Sequence, residues 1–172
     1  MDHLPVSDTE EQSLRRTSDE VAKRALALLM VAVKGETRDH EFAQDVAKEF
    51  EALPYFSPLE RVFFLDETPT EQDYTNAIWR YEAAFVLLWA LGFYDTMDRP
   101  GQIVDVATMA SIVRELGADG VLSKAKLRPQ SELLDASDLA YRYHWASVSA
   151  RLGHAPIPNW MEPSTPLNAS TH

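Results

Sequence analysis

The chain contains no cysteine. This absence excludes a disulfide, a thiol nucleophile and any zinc or iron–sulfur site that depends on cysteine ligands. Glycine is also scarce, with six residues in 172. No glycine-rich phosphate loop, dinucleotide fingerprint or nucleophile elbow is present. We therefore expect no ATP, GTP or NAD bound through these motifs, and we predict no cofactor and no metal.

Basic residues are few: 16 Lys and Arg stand against 27 Asp and Glu, which gives a net charge of −11 at pH 7. A field of that sign repels phosphate backbones and anionic membrane surfaces, so we expect neither nucleic acid nor a membrane as partner. Residues 1–5 lack the basic and apolar parts of a signal peptide. The sequence predicts an acidic, soluble protein of the cytoplasm that binds proteins or small cationic ligands.

No apolar run reaches the ~20 residues that a membrane span requires. Two shorter runs are present, at residues 83–91 and 25–33. A helix that is apolar on every side must be covered on every side. We therefore predict a helix that begins near Thr70. Its part over residues 79–91 should lie at the centre of the fold. Leu88, and Leu29 in a predicted helix over residues 18–34, should be among the most buried residues.

Amphipathic patterns predict further helices around this centre. Residues 38–53 carry Phe42, Val46, Phe50 and Leu53 on one side. Ser57 and Asp105 are placed to cap helices over residues 57–65 and 105–117. Residues 130–152 carry a predicted buried stripe of Leu134, Tyr141, Trp145, Val148 and Leu152. Because no strand pattern is convincing, the fold class is all-α: a single-domain helical bundle of about five to seven helices around a central buried helix.

Glycines and prolines set the predicted boundaries. Gly35, Gly92, Gly117 and Gly153 directly follow helical patterns, where glycine commonly ends a helix. From Pro156 onward, prolines mix with Ser, Thr and Asn, and apolar patterning disappears. We predict a polar N-terminal segment over residues 1–16, an all-α domain over 17–153 and a proline-rich, disordered tail over 154–172.

Several separated blocks resemble the family known as domain of unknown function 4272. The similarity covers roughly residues 15–152, in order. Its blocks are RRTSDEVAKRAL at 15–26, WRYEA at 79–83, LLWALG at 87–92, DV at 105–106 and LLDASDLAYRYHWA at 133–146. The resemblance implies a mainly bacterial helical domain, and it implies no particular activity, cofactor or substrate.

Charged residues among the aromatic side chains of two helices form a candidate polar pocket. On one interpretation, carboxylates, guanidinium groups and an imidazole converge between the helices. On the other, each residue forms a salt bridge or hydrogen bond that fixes helix register, because buried charges must be paired in either case. We expect Glu82 to contact Arg142 or His144, which leaves Arg80 for Asp73 or Asp105. The candidate residues are Arg80, Glu82, Asp105, Asp138, Arg142 and His144.

One further motif begins like the zinc helix of a metalloprotease, with His40-Glu41. That motif needs a second histidine one turn later, and Gln44 occupies the position. We therefore predict no zinc site here and a solvated His40.

Three functions are compatible with these features. The first is a non-catalytic binding or scaffolding protein, which should show an exposed apolar patch rimmed by acidic residues. The alternative is a small hydrolase-like enzyme in which Glu82, Asp138 and His144 act as acid, base or ligands of a hard metal. A weaker alternative, suggested by charge alone, is a neutralising partner of a basic toxin or effector.

Overall fold

The structure, a computed structural model, describes residues 15–97 and 103–153. Over these ranges it contains no strand, which confirms the all-α prediction. Seven α-helices occur there: α1 (Ser18–Thr37), α2 (His40–Glu49), α3 (Pro58–Leu65), α4 (Glu71–Ile78), α5 (Arg80–Ala90), α6 (Val106–Lys124) and α7 (Gln130–Arg151). A 3₁₀ turn (Leu53–Tyr55) lies between α2 and α3. None of the helices in these ranges is long and apolar enough to cross a membrane.

The chain divides into two compact units. The larger comprises Leu14–Met97 and Ile103–Pro129 and contains α1 to α6. The other comprises Met1–Ser13, Asp98–Gln102 and Gln130–His172, and its described part consists of α7 and the two residues that follow it. Most of the predicted N-terminal segment and all of the predicted tail lie outside the described residues.

Helix α1 is the element against which the rest of the larger unit packs. A capping box opens it, in which the Thr17 hydroxyl accepts a hydrogen bond from the Glu20 N–H and the Glu20 carboxylate accepts one from the Thr17 N–H. From Ala25 to Ala32 every residue is buried. Helices α2 to α6 all contact α1, and α5 makes the most extensive contact. A helix that is apolar on all sides is stable in water only with such a covering.

The prediction placed the centre at residues 79–91, and this position is wrong. Helix α5 does bury Leu88 completely, as expected, and Leu29 is buried in α1. However, Trp79 is 65% exposed and Val86 is 44% exposed. The predicted long helix is also interrupted at Trp79, so that α4 and α5 pack on α1 as separate pieces. The apolar run at residues 83–91 therefore correctly indicated a helix of the core. The central helix is α1, because it contacts more of the other helices than α5 does.

Gly35 does not end α1, in contrast to the prediction. The helix continues to Thr37, and Arg38 ends it with a φ of 56°. Gly35 instead lies where α1 crosses α4. A Cβ atom built at Gly35 would be 2.8 Å from the Ala77 Cβ and 3.0 Å from the Tyr74 carbonyl oxygen. The residue is therefore glycine because two helix backbones approach closely at this point.

The other predicted helix ends are mostly confirmed. Gly92 and Gly153 follow α5 and α7 with φ values of 81° and 72°. Gly117 breaks α6 with a φ of 64°, but the helix resumes and runs to Lys124, beyond its predicted end at residue 117. Helix α2 is shorter than predicted because residues 50–55 form a turn and the 3₁₀ segment.

Helix α7 has the predicted bounds but not the predicted buried stripe. None of its residues is buried, and Trp145 and Leu152 are exposed. Half-buried residues, polar ones included, occur around its circumference. Along the helix, the Tyr141 and Trp145 rings pack edge to face, with centroids 6.1 Å apart.

A partly buried ion pair connects α1 to α3. Arg24 donates to both carboxylate oxygens of Glu60, with N···O distances of 2.6 Å and 2.7 Å, and the Glu60 side chain is only 5% exposed. Burial alone would raise the pKa of Glu60. Hydrogen bonds from Arg24 and from the Ser57 N–H outweigh burial and lower this pKa from 4.5 to about 2.

Replacing Gly35 with Ala should destabilise the larger unit. The added Cβ would overlap Ala77, so the α1–α4 crossing has to open, and we expect a loss of about 1–3 kcal/mol in the free energy of unfolding. Urea denaturation measures this change. The matched test is the double variant Gly35→Ala/Ala77→Gly, which removes the Cβ of the opposing residue. The two effects should be clearly non-additive, and simple additivity would contradict the close approach.

Removing the Arg24 guanidinium should change both stability and its dependence on pH. Arg24→Met strands the Glu60 carboxylate, and because Arg24 is partly exposed we expect a loss of about 2–3 kcal/mol at neutral pH. The folded-state pKa of Glu60 is depressed, so the contribution of the pair is present above pH ~4.5 and disappears as the pH falls towards ~2.

The difference in unfolding free energy between wild type and Arg24→Met should therefore shrink between about pH 5 and about pH 2 in urea titrations. Lys48→Met removes an exposed pair with Asp45, 3.6 Å long, and serves as the control, with little effect at any pH. A wild-type advantage over Arg24→Met that stays constant down to low pH would contradict the assignment.

Candidate functional site

The predicted polar residues of the larger unit have separate structural roles. Glu82 accepts a hydrogen bond from the Val104 N–H at 3.1 Å. Asp105 caps α6, since its carboxylate accepts hydrogen bonds from the Thr108 N–H at 3.0 Å and the Thr108 hydroxyl at 2.6 Å. These hydrogen bonds lower the pKa of Asp105. Together, Glu82 and Asp105 fix the start of α6.

Arg80 does not form the predicted pair with Asp73 or Asp105. Within the described part of the chain it has no ion pair, although it lines a shallow groove between α3 and α4 together with Asp73. The Asp73 carboxylate is instead part of a capping box, in which it accepts hydrogen bonds from the Thr70 N–H and hydroxyl. The local cap at the start of α4 therefore takes the carboxylate that Arg80 was expected to bind.

The predicted residues of α7 are described within their own unit. The Arg142 Nε donates to the Asp138 carboxylate at 2.5 Å across one helical turn, a spacing at which side chains of a helix meet. His144 is exposed, and its ring centroid lies 6.1 Å from that of Trp145. The expected contact of Glu82 with Arg142 or His144 would join the two units and stays a prediction.

Among the described residues, the most deeply buried ionisable group is Lys34, which no sequence pattern indicated. Its Nζ donates to the carbonyl oxygens of Phe63, Phe64 and Asp66 at 3.0, 2.7 and 2.5 Å. Burial lowers the pKa of Lys34, and the charges of Asp66 and Glu67 oppose that shift. The last carbonyls of a helix have no partner within the helix. Lys34 supplies one for α3, so its role is that of a cap.

His40 lies beside this lysine and is half-buried, so the prediction of a solvated ring is wrong. Its Nδ1 lies 3.1 Å from the Lys34 Nζ, and its Nε2 lies 2.7 Å from the Gln44 side-chain amide. An ammonium can only donate, so the His40 Nδ1 accepts from Lys34. Among the described residues, no group of three or more His, Cys, Asp or Glu is arranged to hold a metal ion.

A groove over α1, between α2 and α6, has a mainly apolar lining. We call it the α1/α2/α6 groove; its volume is about 550 Å³. Each of the three helices contributes residues at positions i, i+4, i+7 and i+8. These are Leu29, Val33, Glu36 and Thr37 from α1, Phe42, Val46, Glu49 and Phe50 from α2, and Val106, Ala110, Val113 and Arg114 from α6.

The floor of the groove is apolar. The one hydroxyl that reaches it from α5 is already hydrogen-bonded within the protein. Tyr81 is buried, and its hydroxyl donates to the Glu36 carboxylate at 2.5 Å. Burial, and then the contact with Glu36, raise the pKa of Tyr81. Tyr81 is therefore a neutral donor at neutral pH. The remaining lining in this region comes mainly from Leu29, Met30 and Val33 of α1.

The rim of the groove is exposed and charged. Phe42 on α2 is 48% exposed. Glu49 on α2 and Arg114 on α6 are exposed on opposite walls. The sequence analysis placed Phe42 and Val46 on the apolar side of α2, but it could not show that α6 leaves that side partly open.

The fold and the groove define a helical domain built on one buried helix, with an apolar groove on its surface. The chain belongs to the family described as Domain of unknown function (DUF4272), whose model matches residues 1–168. This match confirms the resemblance found in the sequence. The comparisons with curated proteins and with solved structures gave no match.

Proposed function

We propose that this protein is a non-catalytic binding protein that holds apolar groups of its ligand in the α1/α2/α6 groove. The observation that carries the proposal is the groove itself. It has a volume of about 550 Å³ and combines an apolar floor with charged residues at its rim, Glu36, Glu49 and Arg114. A patch of this composition is the feature that distinguishes a binding module from an isolated exposed side chain.

The free energy of binding comes from covering the apolar surface that the groove exposes. Covering apolar area stabilises a complex by about 25 cal/mol per Å² before the costs of association. The Phe42 ring is half-exposed, and Ala110 on α6 is exposed. The groove keeps this area in contact with water in the free protein, so that a ligand gains by covering it.

The hydrolase-like alternative has less support. An acid–base mechanism needs at least two suitable groups within reach of one reacting atom. Glu82 is engaged by the Val104 N–H, and the buried Lys34 by the carbonyls at the end of α3. In the groove, the hydroxyl of Tyr81 is bonded to Glu36. These residues explain helix positions without any reaction.

Binding to the groove can be tested with a neutral apolar dye and a pair of matched variants. Nile red fluorescence should rise on titration with the wild-type chain, and methyl signals of Leu29, Val33 and Val46 should shift in NMR spectra. Phe42→Glu places a charge in the groove at a half-exposed position and should weaken dye binding by about tenfold. Ala110→Trp should weaken it similarly by filling the space.

Val62→Glu is the control, because Val62 is an exposed apolar residue on α3 that lies outside the groove. It should leave the titration unchanged. Circular dichroism and urea denaturation establish that each variant is folded. Dye binding that survives both groove variants, or methyl shifts confined to other surfaces, would overturn the proposal.

A further inference from the structure

The shape of the α1/α2/α6 groove indicates what kind of ligand fits it. The lining residues of α1, α2 and α6 include sets at i, i+4, i+7 and i+8, which lie on one side of a helix, and Met30 of α1 and Tyr81 of α5 complete the lining. Helices α2 and α6 each pack on α1 and have no extensive contact with each other. The space between them therefore has a helical floor and two helical walls.

The length of the groove also suits a helix. The stripe on each wall covers about two helical turns, or roughly 11 Å along the axis. Phe42 and Val46 line one wall, and the smaller Val106 and Ala110 line the other. Such surfaces receive the ridges of an approaching helix between their own side chains.

The two walls carry opposite charges that have no partner within the described residues. Glu49 ends α2 and Arg114 lies on α6, and both side chains are exposed. Neither forms an ion pair or a side-chain hydrogen bond in that part of the chain. Glu36, by contrast, already accepts the Tyr81 hydroxyl. A ligand that lies between the walls would meet a carboxylate on one side and a guanidinium on the other.

We infer that the occupant of the groove is an amphipathic α-helix of a partner protein, with a basic residue on one flank of its apolar stripe and an acidic residue on the other. The apolar stripe covers Val33, Phe42 and Val46, the basic flank faces Glu49, and the acidic flank faces Arg114. Binding of an amphipathic helix in a groove is a recurrent mode of peptide recognition. The inference rests on the proposed function and specifies its ligand.

A displayed library of helices tests the inference directly. The library keeps an apolar stripe in helices of about 18 residues and randomises both flanks. Selection on the full wild-type chain should enrich sequences with one basic and one acidic flank. A purified peptide from that selection should become helical on binding, as measured by circular dichroism, and should fail to bind Phe42→Glu.

Two variants give both walls the same charge. The flank charges expected from selection are then the same for either direction of the bound helix. On Arg114→Glu, where both walls are acidic, selection should enrich bases on both flanks. On Glu49→Arg, where both are basic, it should enrich acids on both. The wild-type peptide should bind each variant about tenfold more weakly than it binds the wild type, by fluorescence anisotropy.

Glu41→Arg is the control for net charge. Glu41 is an exposed residue of α2 that does not line the groove, and its replacement changes the net charge as Glu49→Arg does. Selection on Glu41→Arg should give the wild-type pattern. The inference is overturned if the flank charges follow net charge in this control, or if no helix is enriched although Nile red binds. If neither the dye nor any helix binds, the proposed function fails as well.

Discussion

The larger unit depends on the burial of α1 on every side. Residues from Ala25 to Ala32 have almost no contact with solvent, and this is possible because five helices share the task of covering them. Short amphipathic helices are marginally stable alone, so most of their stability comes from packing. Helices α2 to α6 therefore need α1 as much as α1 needs them.

Three contacts along α1 position its neighbours. In the first half of the helix, Arg24 binds the buried Glu60 at the start of α3. Near its end, Lys34 supplies donors to the final carbonyls of the same helix, so α3 is held at both of its ends. The next residue, Gly35, allows α4 to cross at close range. The other side of α1 is left to form the floor of the groove, through Leu29 and Val33.

The sequence was sufficient where the determining interactions are local. The capping residues Ser57 and Asp105 were identified because a cap depends on a partner three residues away. Gly35 was misread because glycine both ends helices and permits close approach, and only the position of α4 distinguishes the two uses. Lys34 was missed because its partners are backbone carbonyls of α3, which no side-chain pattern reveals.

The same reasoning applies to the candidate site. The apolar side of α2 was visible in the spacing of Phe42 and Val46, but its partial exposure depends on the placement of α6, which is distant in the sequence. The charged residues singled out in the sequence are conspicuous among aromatic side chains. In the larger unit, Glu82 and Asp105 stabilise the entry to α6. These two charged residues thus have a structural role. The groove is instead lined by the apolar side of α2, which looks in the sequence like that of any amphipathic helix.

Native-state hydrogen exchange measures most directly whether α1 is the central element. Amides of Leu26 to Val33 should be the slowest in the larger unit and should exchange only through global unfolding, with a free energy equal to that from denaturation. Amides of α3 and α4 should exchange through smaller openings. If Phe85 to Leu88 in α5 were better protected than α1, or if α1 exchanged through local opening, α1 would not be the helix on which the fold depends.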